Sequence, residues 1–286
     1  MKTFKFLVFL LAISIFSSCD SNSTDENPSN TLDTESPYEA FNIAYGNDSD
    51  QVFDLYLPPN RNTETKTIIL VHGGGWTSGD KADMNAFKTF IKDQMSGYAV
   101  VNINYRLADA NNQPYPMQID DITSVVDFLE SNESYYSISD TIGFVGVSAG
   151  AHLSLLWSYA FDSDNQTNMV CSVVGPTNFT DPAYVNNDDP VLQELFESFG
   201  TDTSTAFLEE VSPFHQVTSS APPTILFYGA LDPLIPTTQG TAMRDKLEEL
   251  NVIHEFTLYP NEGHGWVGLN LLDTTIKLKL FIEMYL

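Results

Sequence analysis

The sequence predicts an α/β chain with a mostly parallel eight-stranded sheet flanked by helices. Three observations carry that prediction. From about residue 38, short apolar runs alternate with helical stretches, a pattern that implies parallel strands joined by crossover helices. The inner runs, such as Thr67–Val71 and Ala99–Asn104, are richly aliphatic, as strands covered on both faces are. The chain has 286 residues and 42% hydrophobic composition, enough for one large core.

Tyr38–Tyr45 and Val52–Leu57 alternate polar with apolar residues and lie close together, so they read as an antiparallel hairpin at one edge. Strands are expected next at Thr67–Val71, Ala99–Asn104, Thr141–Val147, Met169–Val174, Thr224–Tyr228 and Ile253–Tyr259. Helices are expected at Met84–Met95, Met117–Glu130, Ala149–Phe161, Gly240–Leu250 and Thr274–Tyr285. The segment 177–220 breaks the alternation. It holds two short helical pieces, Val191–Phe199 and Thr205–Val211, among D-P, N-N-D-D-P and S-P breaks. An insertion this long between the sixth and seventh strands reads as a lid.

The first residues have a different character. Lys2 and Lys5 precede an apolar run from Phe6 to Phe16, then Ser17-Ser18-Cys19. This describes an export signal over 1–18, and the run is shorter than a membrane-spanning helix needs. Small residues directly before a Cys resemble the lipobox of bacterial lipoproteins, which makes Cys19 the expected lipidation site. A plain signal peptide cut nearby is the alternative. Residues 20–37 hold almost nothing apolar, so 19–37 is expected to be a disordered tether. The domain itself is then 38–286. The implied location is outside the cytoplasm, anchored to a membrane through lipid and otherwise secreted.

The net charge is −26. Removing 1–18 takes two lysines and no acids, giving −28. Such a surface repels nucleic acid. No Cys/His cluster has zinc spacing and no phosphate loop is present, so no metal or cofactor is expected. Cys171 lies in the apolar run M-V-C-S-V-V and reads as a core residue.

Chemistry enters at Ile142–Leu156, I-G-F-V-G-V-S-A-G-A-H-L-S-L-L. Gly146-Val147-Ser148-Ala149-Gly150 is a G-x-S-x-G string between an apolar strand and an apolar helix. A serine forced into that tight turn projects its hydroxyl off the sheet edge, with the helix dipole aimed at developing negative charge. A nucleophilic serine needs a base and an orienting acid. Of the five histidines, His264 in Y-P-N-E-G-H-G-W follows the last strand. His152 sits on the helix after Ser148 and points away from it, His254 is in a strand, and His215 is on the insertion. Asp232, in the turn after T-I-L-F-Y-G, is the expected acid. The order Ser, acid, His fits strand-end loops of an open α/β sheet.

These motifs, with V-H-G-G-G-W-T-S-G-D-K, I-N-Y-R-L-A and Y-P-M-Q-I-D-D, resemble the α/β-hydrolase serine esterases. Within them the chain is similar to bacterial carboxylesterases related to acetyl-xylan and feruloyl esterases. The resemblance implies Ser148, Asp232 and His264 as the triad. It implies an oxyanion hole from Gly74, Gly75 and Ala149. It further implies a small-molecule or carbohydrate ester substrate, with acetyl or feruloyl esters of polysaccharide foremost. Ala151 stands where related chains often have Gly, and Tyr228-Gly229-Ala230 where they often have His-Gly-Asp. Trp76 and Trp266 adjoin the two catalytic loops and are expected to line the substrate site. His72 ends a strand and is expected to brace the glycine loop. Arg106 and Asp120 or Asp121 read as a structural ion pair. Two other readings share these residues: an amidase, peptidase or formamidase on the same fold, and a non-catalytic glycan-binding lipoprotein.

Overall fold

The computed structural model describes residues 32–185, 187–200 and 202–286. The expected signal peptide and Cys19 lie outside the described residues. The end of the expected tether does not hang free. The guanidinium of Arg61 donates to the carbonyls of Asp33 and Ser36 at 2.7 and 3.0 Å, and Leu32 packs against the core. A single buried arginine with backbone acceptors therefore fixes a stretch whose own composition gave it no reason to order.

The eight-stranded sheet is present. Its strands are β1 (Tyr38–Ala44), β2 (Val52–Leu57), β3 (Thr67–Val71), β4 (Ala99–Ile103), β5 (Ile142–Val147), β6 (Thr167–Val173), β7 (Thr224–Gly229) and β8 (His254–Tyr259). The spatial order is β1-β2-β4-β3-β5-β6-β7-β8. β2 pairs antiparallel with both β1 and β4, and the rest of the sheet is parallel. Alternate residues feed two cores. Ile69, Val71, Val101, Ile103 and Phe144 enter one; Ile68, Leu70, Val100 and Val145 enter the other. That is why these strands carry apolar residues at consecutive positions.

The helices are α1 (Asn85–Gln94), α2 (Pro114–Tyr136), α3 (Ala149–Ala160), then α4 (Pro182–Val185), α5 (Pro190–Phe199), α6 (Thr205–Glu210) and α7 (Pro213–Gln216) between β6 and β7, and finally α8 (Thr237–Glu249) and α9 (Gly268–Tyr285). The first core lies under α2 and α3, the second under α1 and α9. α3 is buried from Ala149 through Ser158, so its lack of a polar face is a packing requirement. The insertion is thus four short helices, two more than the sequence suggested. α5 starts where the Asp189 side chain accepts the Val191 N–H and Pro190 occupies the first turn.

The insertion is stitched at its roots. Buried Gln239 accepts the N–H groups of Thr177 and Asn178 at 2.8 Å each and donates to Asp181 at 2.9 Å. Phe179 N–H donates to Ser212 Oγ and Phe214 N–H to the Thr177 carbonyl. The two ends of the segment therefore hold each other as well as α8.

Candidate functional site

The chain leaves β3 toward one neighbour, β4, and returns as β5 on the other side of β3. A crevice opens at the carboxyl ends of strands where the order reverses in this way. Four strand ends deliver the site residues. Gly73–Gly75 follow β3 after His72, Ser148 follows β5, Asp232 follows β7 and His264 follows β8.

Ser148 has φ 53° and ψ −120°, a conformation that costs a non-glycine residue free energy and persists only where the surroundings impose it. The surroundings are explicit. A Cβ on Gly146 would lie 2.5 Å from the Gly150 carbonyl oxygen, and one on Gly150 would lie 2.3 Å from the carbonyls of Val71 and His72. The two glycines of the pentapeptide let strand, turn and helix pass this closely. Ala151 is accommodated on its far side by Gly175, where a Cβ would meet it at 2.7 Å.

Ser148 Oγ lies 2.9 Å from His264 Nε2, and His264 Nδ1 lies 2.8 Å from Asp232 Oδ2. Asp232 accepts the N–H groups of Leu234 and Ile235 on its other oxygen at 2.8 and 3.1 Å. Its side chain is 1% exposed. With one oxygen committed to those amides, the other accepts Nδ1–H, which leaves Nε2 to accept the serine proton. Gly229 permits this approach: a Cβ there would stand 2.2 Å from the Gly263 carbonyl, one residue before His264. The array can transfer a proton from Ser148 to His264 and hold the resulting imidazolium beside a carboxylate.

The glycine loop is shaped by Thr77 and Ser78, whose N–H groups donate to the Gly74 carbonyl at 3.3 and 3.0 Å; Ser78 Oγ donates to it as well. Gly74 has φ 118° and Gly75 φ 57°. Among the described residues no backbone or side-chain acceptor takes the amides of Gly74 or Gly75. Ala149 opens α3, so its N–H has no intrahelical acceptor. Sequence reasoning passed over Gly73, whose Cβ would stand 3.1 Å from Ser148 Cβ. His72 Nδ1 donates to the Gly73 carbonyl at 2.6 Å, its ring stacks on Tyr105 at 4.3 Å between centroids, and burial lowers its pKa.

Trp76 does not line the site. It has φ 63°, which turns its side chain under the loop, where it is fully buried between Phe179 and Phe199. Its N–H donates to His152 Nδ1 at 3.2 Å and its carbonyl accepts from Gln118 and Ala108. Trp266 packs on Tyr259 and gives its N–H to Thr274 at 2.8 Å, so it is spent on seating α9. His152 is fully buried and joins three segments: Nδ1 faces Trp76, while Nε2 donates to the Val211 carbonyl in the insertion at 2.8 Å. Desolvation pushes its pKa down to about 4. Arg106 and Asp121 pair at 2.5 Å, with Asp121 fully buried, while Asp120 is exposed.

The residues beside the glycine loop come instead from the insertion and were not legible in sequence. A cavity of about 220 Å³ is lined by Gly75, Thr77, Leu234 and the α5 residues Val191, Glu194, Leu195 and Ser198. A second, of about 460 Å³, shares Thr77 and Ser198 and reaches Asp109 and Gln113.

The model of the BD-FAE family matches residues 53–247, well over half of the chain. Ser148 and Asp232 fall inside the match and His264 beyond it. The chain is 24% identical over 247 residues to the esterase LipC of Mycobacterium tuberculosis, covering 81% of this chain and 60% of LipC. It is 24% identical over 217 residues to dipeptidyl aminopeptidase BIII of Pseudoxanthomonas mexicana, covering 70% of this chain and 30% of that one. The chain therefore spans less than two thirds of both relatives. A solved structure described as a truncated form of a carbohydrate esterase from gut microbiota superposes with a TM-score of 0.70 at 22% identity, over 88% of this chain and 97% of that one. That likeness establishes the α/β-hydrolase fold.

Proposed function

The chain belongs to the BD-FAE family, and from that membership we propose that it hydrolyses carboxylic esters through Ser148, His264 and Asp232. The observation that carries the reading is the unbroken hydrogen-bonded series from Ser148 Oγ through His264 to Asp232, at 2.9 and 2.8 Å. Ser148 Oγ attacks the ester carbonyl carbon while its proton passes to His264 Nε2. The carbonyl oxygen becomes an oxyanion, taken up by the amide of Ala149 and by those of Gly74 and Gly75. The C–O bond to the alcohol breaks as His264 returns the proton to the leaving oxygen. Water, deprotonated by the same imidazole, then cleaves the acyl-serine. Asp232 holds the Nδ1–H tautomer throughout.

Turnover of a short-chain aryl ester, abolished in Ser148→Ala, is the expected result. Wild-type protein that neither hydrolyses the ester nor becomes labelled at Ser148 by an organophosphonate would overturn the proposal. The motif resemblance supports acetyl or feruloyl groups on polysaccharide as substrates. Release of acetate from acetylated xylan or of ferulate from its ester tests that choice. The similarity to a dipeptidyl aminopeptidase supports amide cleavage as a second reading. It predicts dipeptidyl anilide turnover comparable to that of the ester.

We further propose that the chain is exported and lipid-anchored at Cys19. The support is Lys2 and Lys5, the apolar run and Ser17-Ser18-Cys19. Fatty-acid labelling that is retained in Cys19→Ser would sink the assignment.

A further inference from the structure

The two halves of the oxyanion hole come from segments far apart in sequence. One is the amide of Ala149 at the start of α3, the other the amides of Gly74 and Gly75 on the glycine loop. They serve one oxygen only if the loop stands at a fixed distance from the helix. The loop alone does not set that distance. Gly74, Gly75 and Trp76 all have positive φ, of 118°, 57° and 63°. For a side chain as large as tryptophan that backbone is costly and persists only where its surroundings impose it.

Three sets of contacts impose it. The Trp76 carbonyl accepts from Ala108 N–H and Gln118 Nε2 at 2.9 and 2.7 Å. The ring lies between Phe179 and Phe199, at 5.9 and 4.9 Å between centroids. Its indole N–H donates to His152 Nδ1 at 3.2 Å, and among the described residues it has no second acceptor. His152 is in turn built onto the nucleophile. It lies one turn into α3, and its backbone N–H donates to the Ser148 carbonyl at 3.1 Å. The donation from Nε2 to the Val211 carbonyl fixes the tautomer that leaves Nδ1 free to accept. Trp76 and His152 are both fully buried, so a partner lost from this bond is not replaced by bulk water. One imidazole thus spans from the helix of the serine to the residue that follows Gly75.

On the reading that the chain hydrolyses esters, we infer that His152 is a positioning residue for the reaction. Through the Trp76 indole it holds the amides of Gly74 and Gly75 in register with that of Ala149. It touches no reacting atom itself.

Two substitutions separate its two bonds. In His152→Asn the side-chain oxygen takes the δ position and still accepts from Trp76, while the bond to Val211 is lost. In His152→Gln the side-chain nitrogen takes the ε position and still donates to Val211, while Trp76 loses its acceptor. Both variants should melt below the parent. Only the glutamine variant should lose turnover of a short-chain aryl ester. Its kcat should fall about 10- to 100-fold at unchanged KM, short of the roughly 10²–10³-fold that removal of an oxyanion donor costs. A benzyl trifluoromethyl ketone, whose adduct with Ser148 carries an oxyanion, should bind that variant more weakly by the same factor and bind the asparagine variant like the parent. Trp76→Phe removes the indole N–H and keeps an aromatic ring. It should match the glutamine variant, and combining the two should cost no further kcat. It carries the same test where the glutamine variant does not fold. Undiminished kcat in Trp76→Phe or in folded His152→Gln overturns the inference, as does an asparagine variant that loses as much kcat as the glutamine one. A parent that does not hydrolyse the ester overturns the ester-hydrolysis reading, and this one with it.

Discussion

Lowering the pH should destabilise the protein through His152, and the geometry sets both sign and size. In the folded chain the imidazole is neutral: Nδ1 accepts from Trp76, Nε2 donates to Val211, and burial pushes the pKa down to about 4. In the unfolded chain the ring titrates near 6.5. Between those values the unfolded state binds the proton and the folded state does not, so stability falls as pH falls. From 6.5 to about 4, at roughly 1.4 kcal/mol per pH unit, the loss is on the order of 3 kcal/mol. It is nearly complete at the lower value, complete below it and absent above about pH 7. His72 adds a loss of the same sign, because burial lowers its pKa as well. The isolating experiment is urea unfolding of the parent and of His152→Gln from pH 7.5 to 4. The glutamine variant has its own stability at pH 7.5, which does not matter; the slope does. The parent should lose about 3 kcal/mol more than the variant across that range. Parallel curves would refute the reasoning.

Asp232→Asn should lower kcat by about 10⁴-fold with little change in melting temperature, since Leu234 and Ile235 hold the side-chain oxygen and turn the amide NH₂ toward His264, which then carries its proton on Nε2. Normal turnover at neutral pH would exclude that tautomer argument. Gly74→Ala should fail to fold or melt far below the parent, because its Cβ would stand 2.0 Å from the Ser78 carbonyl oxygen. Gly75→Ala should fold, at a cost of roughly 1–2 kcal/mol for its left-handed backbone, since its Cβ meets only Leu195 and Ser198 at 3.9 Å. Equal melting temperatures for the two variants would contradict this reading of the loop.

The sheet and the three polar residues of the array were legible because each rests on a local signal. Ile68–Val71 is aliphatic at every position, and Ser148 is bracketed by glycines that leave no alternative packing. Asp232 follows the buried β7, and His264 the edge strand β8, by a few residues. The failures share a different cause. Trp76 adjoins the glycine loop in sequence, which suggests a substrate contact, but a positive φ sends its ring to the opposite side, and φ is not written in the residue name. Trp266 likewise adjoins His264 in sequence while facing Thr274. α9 begins at Gly268, six residues before the expected Thr274; Leu269 and Leu272 gave no buried periodicity there because they point outward. His152 lies on the helix that the sequence predicts. Its link to Val211 joins segments 59 residues apart, which no periodicity reveals.

The dispersal of the array along the chain governs when reactivity first appears. Ser148 and its imidazole partner are separated by 116 residues, and β3 must align with β5 before the glycine loop meets the serine turn. A growing chain that has reached β6 already contains the elbow and the loop, yet it has no base to draw the proton. The array is therefore complete only when β8 docks beside β7. A nascent or partly folded chain therefore holds the nucleophile and its glycine loop without the base and the acid that would activate them.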